Sequence, residues 1–467
     1  LERLREAGKD VVFFSHHLNT VSLYLASACA KKVLHPLGTL SFLGLSRSFL
    51  FLKQAMDRHG IDAQIIRRGR YKSAGDRFRT DRLDRDNEEQ YRAYFDAVMR
   101  ELEERIAEGF GKTEEEVQSL VDGRILDAET AQREGWTDLT ATLRSIEESW
   151  KSDEKVKKKK LRRIGRSYGR GRGKIAVLVF EGAIIEGTSK QLPLLGQAVG
   201  ADSFIPHIEK LRKDRRVKGV VLRINSGGGS ADASEDIVDA LGRLAEKKPL
   251  VVSMSEVAGS GGYWIACAGE RLFVRKTTLT GSIGVIMMLA GVREFLGRHG
   301  VTSSVIRTGE HADLGSPFRP VTEKERSMVD GIVERLYGLF VAKVAEFRSK
   351  DEAEVRTLAA GRVWSGVDAV SLGLADEIGS VTDAVEYLRR RLEMKRAKVV
   401  FYPEIKYGFL EKRLYKSAGG AFAGFDRSMN LSSLAAEAGD WLHAASELRN
   451  TPLAVIPELF PLPPDRA

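Results

Sequence analysis

Short apolar runs, closed off by glycines or charged clusters, mark the second half of the chain. Five of them (174–180, 219–224, 250–254, 271–274 and 303–307) have the length and β-branched content of strands. Two longer stretches, 86–109 and 322–347, space their apolar residues three and four apart. They predict amphipathic helices whose stripes suit core or subunit packing equally. Tyr263–Ala268 reads as a helix start just behind the 250–254 strand. "GVVLRINSGGGSADASEDI" (219–237) reads as strand, glycine turn and helix. Strands alternating with helices predict an α/β fold.

The pattern occurs twice. At an offset of 240 positions, "YLASA" (24–28) falls on "WIACA" (264–268), "RHG" (58–60) on "RHG" (298–300) and "IRRG" (66–69) on "IRTG" (306–309). Farther on the offset becomes 238, and "GRILDAETAQREGWTD" (123–138) falls on "GRVWSGVDAVSLGLAD" (361–376). A tandem duplication follows. It divides the chain into a first repeat, 1–148, a linker, 149–172, a second repeat, 173–392, and an extension, 393–467, that matches neither. The extension ends apolar and proline-rich, "NTPLAVIPELFPLPPDRA", and is expected to lie extended on a neighbour. The first repeat has no counterpart of 173–240. The expectation is that about 70 residues of repeat and an apolar anchor of about 20 residues precede Leu1 in a longer protein.

Composition adds three points. The chain of 467 residues carries a formal charge of +9, and "KVKKKKLRRIGRSYGRGRGK" (155–174) contains no acidic residue. That block reads as a solvated tether, with anionic phospholipid as the next reading; no nucleic-acid partner is expected, because no aromatic platform accompanies it. Cys29 and Cys267 are the two cysteines, too few for a disulfide framework or a metal site. No apolar run approaches the ~18 residues of a membrane span.

The chemistry lies where the repeats differ. "GSGGYWIACAG" (259–269) sets Ser260 between glycines at a strand-to-helix turn, a common seat for a nucleophile, but no histidine lies nearby. In the first repeat the matching residue is Thr20, and Gly261 and Gly262 are matched by Val21 and Ser22. Conversely "GRYKSAGDRF" (69–78) carries Lys72, where the second repeat has Ala312. One repeat holds a serine without a lysine and the other a lysine without a serine. A Ser/Lys dyad divided between them explains both losses. The lysine, ordinarily near pKa ~10.4, must lose its proton to act as a base. Burial, and Arg67, Arg68 and Arg70 if close, would favour that. The amides of Gly229, Gly228 and Gly261 are candidates for an oxyanion hole, although a triple glycine after a strand also suits a phosphate cradle or a plain turn. None of the eight histidines shows ligand spacing, and His59 and His299 recur in both repeats, as fold residues would. Tyr263 and Trp264 suit a substrate groove or the core.

Taken together, "LRINSGGGSADASEDI", "GSGGYWIACAG", "TLTGSIGV" (278–285), "GRYKSAGDRF" and "GRVWSGVDAVSLGLADEIG" resemble the signal peptide peptidase A family in its long, tandem-repeat form, over about residues 1–392. The resemblance implies tandem crotonase-like (ClpP-like) spiral α/β domains and a serine protease that cuts released signal peptides and similar hydrophobic peptides. It implies a homo-oligomer, a tetramer, at the bacterial inner membrane with its catalytic body facing the periplasm, and no cofactor. Ser260 matches the nucleophile, Lys72 the general base, and Ser282 a serine that helps hold the lysine. One position departs: the family has Ser-Pro-Gly-Gly where this chain has Ser226-Gly227-Gly228-Gly229, which loosens the loop. Two rivals remain. An acyl-CoA crotonase would need neither the serine nor the lysine, and a membrane scaffold working through the basic linker would leave their complementary pattern unexplained.

Overall fold

The computed structural model describes residues 1–121, 123–151, 167–169, 171, 173–192, 196–403 and 453–455. They form two compact units, one from residues 1–48 and 92–163, the other from residues 49–91 and 164–467. This division cuts across the repeats: 49–91 belong to the first by sequence and fold with the second.

The smaller unit is built on the parallel strands Val12–Leu18 and Lys31–Ser41. The helix Thr20–Ser27 joins them, opened by a capping box between Asn19 and Ser22. Ile125–Asp127 pairs antiparallel and Leu139–Thr140 parallel with Lys31–Ser41. Leu18, Leu23, Leu34, Phe42, Ile106 and Trp136 fill the core.

The larger unit holds two sheets. In the first, Lys174–Glu181, Val217–Ser226 and Leu250–Gly259 run parallel side by side. Both faces are covered, so these strands read as almost unbroken apolar runs: Val220, Val221, Leu222, Val251 and Val252 have no exposed surface. Leu279–Gly281 and Val363–Trp364 continue this sheet at one side, and Lys398–Tyr402 and Ser167–Tyr168 at the other. The second sheet runs in the order Asp62–Arg68, Val285–Gly291, Leu453–Val455, Gly228–Ser230, Ala183–Ile185, Gly196–Gly200 and Lys190–Leu192. The helices Ala201–Lys213, Ala231–Ala245 and Glu323–Arg348 bury their apolar residues in one core with the first sheet.

The duplication is visible element by element. Thr20–Ser27 corresponds to Gly261–Ala266, Lys53–Arg58 to Arg293–Arg298, Arg85–Phe110 to Glu323–Arg348 and Ala128–Arg133 to Gly366–Ser371. Among the strands the correspondence breaks at one pair. The strand Asp62–Arg68 has its counterpart in 302–308, which is in no strand, and Val285–Gly291 has its counterpart in 45–51, also in no strand. The two strands that do form pair with each other, antiparallel over seven residues.

Four of the five strands expected in the second repeat are present, and both long helices lie within one residue of their expected ends. The fifth, 303–307, is not a strand. Its residues are exposed and no described strand of this chain pairs with them, so β propensity alone does not hold it. The ordered fold also runs past residue 392, because Lys398–Tyr402 lies parallel to Lys174–Glu181. The basic block at 152–166 and most of the 393–467 extension lie outside the described residues. Where the extension is described, Leu453–Val455 adds to this chain's own sheet rather than lying on a neighbour. No helix among the described residues is long and apolar enough to cross a membrane.

Candidate active site

Ser260 follows the last residue of the strand Leu250–Gly259 and precedes the helix Gly261–Ala266. Its backbone sits at φ 54°, ψ −123°, the geometry of the first central position of a type II′ turn, where glycine is the usual residue. Its amide donates to Gly281 O at 2.8 Å. The first repeat makes the same strand-to-helix turn without strain. There Asn19 is an ordinary cap at φ −96°, and Thr20 simply begins the helix. The strained turn occurs only in the repeat that carries the serine.

Lys72 lies on the loop after Asp62–Arg68, and the antiparallel pairing of that strand with Val285–Gly291 carries it to the second repeat. Its Nζ donates to Ser260 Oγ at 2.7 Å, to Ser282 O at 2.9 Å and to Ser282 Oγ at 3.0 Å. All three residues are buried, at 1 % exposure for Lys72, 0 % for Ser260 and 2 % for Ser282. Ser282 also has a positive φ, 52°, and its amide donates to Arg362 O at 2.7 Å. The sequence therefore brings together three polar side chains 188 and 210 positions apart.

The lysine loop is fixed from behind. Arg67 Nη1 donates to Lys72 O at 2.9 Å and to both Asp76 oxygens at 3.1 Å. Asn87 Nδ2 reaches Asp76 at 2.5 Å, and Gln90 Nε2 reaches Tyr71 O at 2.9 Å. Gln90 Oε1 accepts from the Val363 amide at 3.1 Å. Asp76, Asn87 and Gln90 are all buried. Sequence reasoning missed this layer, and the available signal was a pair of polar residues three apart in the otherwise amphipathic 86–109 stretch. Of the arginines expected near the amine, Arg67 is engaged by Asp76, Arg68 by Asp330 and Glu334, and Arg70 by Tyr71.

The glycine loop lies alongside. Gly228 and Gly229 have φ 108° and 159°, and a Cβ on Gly229 would lie 2.0 Å from Ile184 O, so only glycine fits there. The Gly229 nitrogen is 3.3 Å from where a Gly261 Cβ would be, which puts these two glycines back to back beside the serine. The Gly228 amide is turned onto Ser226 Oγ at 3.2 Å. Tyr263 and Trp264 belong to the core: Tyr263 donates to Leu374 O at 2.8 Å, and Trp264 stacks on Phe340 at 4.5 Å. Cys267 is fully enclosed, and burial pushes its thiol up to about 12, so it is inert at neutral pH.

The sequence pattern of Peptidase family S49 matches residues 3–157 and again 242–395. The chain belongs to peptidase family S49. Lys72, Ser260, Ser282 and Gly261 lie inside the matched segments, and Gly228 and Gly229 between them. The chain is 28 % identical over 445 residues to the chloroplastic serine protease SPPA of Arabidopsis thaliana, covering 91 % of this chain and 65 % of that one. It is 28 % identical over 423 residues to Protease 4 of Haemophilus influenzae, covering 86 % and 68 %. It is 31 % identical over 242 residues to a putative signal peptide peptidase SppA of Enterococcus faecium, covering 52 % and 70 %. Among solved structures, a mutant ClpP1 from Listeria monocytogenes aligns with TM-score 0.30 and 17 % identity, over 45 % of this chain and 94 % of that one. The chain thus spans about two thirds of the longer relatives.

Proposed function

We propose that this chain is a serine endopeptidase working through Ser260 and Lys72. The observation that carries the reading is the 2.7 Å contact between a buried amine and a buried hydroxyl supplied by different repeats. In its neutral form Lys72 takes the Ser260 proton as Oγ attacks the peptide carbonyl. The Gly229 and Gly261 amides receive the developing negative charge; Gly228, held by Ser226, serves the loop instead. The tetrahedral adduct collapses, the C–N bond breaks, and the departing amine takes the proton back from Lys72. Water then repeats the sequence on the acyl-serine, with Lys72 again as base. Ser282 holds the amine in line by accepting from it through both its carbonyl and its hydroxyl.

Released signal peptides and similar hydrophobic peptides are the proposed substrates, on the likeness to relatives bearing that name. A peptide substrate is also supported by the strand Leu453–Val455, which lies antiparallel to Gly228–Ser230, as an extended peptide would beside the oxyanion glycines. A homo-oligomer, a tetramer, at the bacterial inner membrane with the site facing the periplasm completes the proposal. A fluorophosphonate probe and a peptide-library digest test it together. Wild type should label and cut, while Ser260→Ala should do neither, with hydrolysis down on the order of 10³-fold or more. Lys72→Arg should be nearly as inactive, because guanidinium cannot act as a base. Turnover by either variant would refute the dyad.

A further inference from the structure

Behind the amine and the hydroxyl lies a second contact that joins the two repeats. Gln90, buried on the helix Arg85–Phe110, donates through Nε2 to Tyr71 O at 2.9 Å and accepts the Val363 amide at 3.1 Å through Oε1. Tyr71 precedes Lys72, and Val363 follows Arg362, whose carbonyl accepts the Ser282 amide at 2.7 Å. The repeat comparison shows that this bridge exists once. Arg85–Phe110 and Glu323–Arg348 are both 26 residues long, and laid end on end they set Met328 against Gln90. At the same offset of 238, Ile125 stands against Val363. Met328 and Ile125 are both exposed. The polar bridge is kept only where it backs the lysine.

The segment that Gln90 grips, 360–363, is shared between the two loops that meet at the amine. On the lysine side, Ala360 O accepts the Tyr71 amide at 3.0 Å and the Val363 amide reaches Gln90. On the other side, the Gly361 amide donates to Ile283 O at 2.8 Å and Arg362 O takes the Ser282 amide. Glycines stand where these backbones touch. A Cβ on Gly69 would lie 2.3 Å from the Ala360 carbonyl carbon, and one on Gly284 would lie 3.0 Å from Gly361 Cα. On Gly123, the first repeat's counterpart of Gly361, a Cβ would meet nothing within 4 Å. We propose that Gln90 is a positioning residue for the general base: by tying Tyr71 to Val363 it fixes the spacing between the lysine loop and the Ser282 loop. This rests on the Ser/Lys reading. A neutral amine has two N–H groups and one lone pair. Ser282 O and Oγ take the two N–H groups, which leaves the lone pair for the Ser260 hydroxyl, 2.7 Å away. Lysine is flexible, so the aim of that lone pair follows from where the two loops stand. A misplacement of about 1 Å there costs on the order of 10²-fold in rate.

A fluorophosphonate separates position from fold. The final extent of labelling counts the folded sites, whereas the labelling rate and kcat per labelled site read the chemistry at Ser260. Gln90→Met keeps the length of the side chain and removes both bonds. Its labelling rate and its kcat per labelled site should fall about 10- to 100-fold. KM should not move, because none of these bonds reaches Gly228–Ser230. Gln90→Glu retains the acceptor for Val363 and loses the donor to Tyr71, so it should fall between Gln90→Met and wild type. A residue that served the fold alone would lower the extent of labelling and the Tm, and leave the rate per folded site at the wild-type value. That result in Gln90→Met, or in Gln90→Glu should the first variant not fold, overturns the proposal and leaves the Ser/Lys reading standing. A wild type that does not label at Ser260 overturns both.

Discussion

The strained turn at Ser260 makes a prediction that separates strain from ordinary packing. Replace Ser260 by alanine and, separately, by glycine; both remove the hydroxyl, and only alanine keeps a Cβ at φ 54°. Holding a non-glycine residue there costs about 1–3 kcal/mol. Glycine recovers that, but loses about 0.4–1 kcal/mol through the freer unfolded chain and about 0.8 kcal/mol of methyl burial. The balance runs from about 0.8 kcal/mol against Ser260→Gly to about 1.8 kcal/mol in its favour and centres near 0.5 kcal/mol in its favour relative to Ser260→Ala. The matching position in the first repeat supplies the control, because Thr20 begins its helix without a positive φ. There Thr20→Gly should be less stable than Thr20→Ala by about 0.5–1 kcal/mol. Urea denaturation followed by circular dichroism gives each difference within its own transition. If glycine at 260 is the worse of the two by as much as at 20, the turn stores no strain and its link to the serine is lost.

Two further outcomes follow from the surroundings. A Cβ on Gly361, at φ 76°, would lie 2.6 Å from Lys72 Cβ; Gly361→Ala should push the lysine out of line and lower kcat on the order of tenfold or more. Gly187→Ala, at φ 69° with nothing within 4 Å, pays only the backbone term and should leave kcat unchanged; equal kcat for both variants would show that the lysine tolerates displacement. The buried Glu325 carboxylate is held well below the usual range, first by the Arg319 guanidinium and also by the Thr322 amide and His311, against the opposing effect of burial. A carboxylate with a depressed folded-state pKa stabilises above its unfolded value, near ~4.3, and loses that contribution as pH falls through the folded value. Glu325→Gln should thus cost about 1–3 kcal/mol at pH 7, with a smaller gap from wild type at pH 3. A gap that does not change with pH in urea denaturation would contradict the assignment.

Most of the site was legible because duplication supplied an internal comparison. Ser260 stands against Thr20 and Lys72 against Ala312, and this complementarity singles out the proposed pair before any geometry is known. The strands at 219–224 and 250–254 were legible for a plainer reason, as apolar runs buried on both faces. What stayed hidden depends on partners. The 303–307 run has the composition of a strand and no ladder partner among the described residues, whereas Val285–Gly291 finds its seven-residue ladder in Asp62–Arg68 of the other repeat. The Asp76, Asn87 and Gln90 layer was hidden because buried polar residues on a helix look like surface until their acceptors are placed.

The division of one amine–hydroxyl pair between two repeats also has a consequence for inheritance. Once each half had lost the member that the other kept, the ancestral duplication became irreversible. A stop codon anywhere between residues 72 and 260 leaves a product with the amine and no hydroxyl, and a gene split there puts the two groups on separate chains. Because the pair closes within one chain, a chain damaged at Lys72 cannot be rescued by a chain damaged at Ser260. In a cell carrying both alleles, the two lesions should fail to complement.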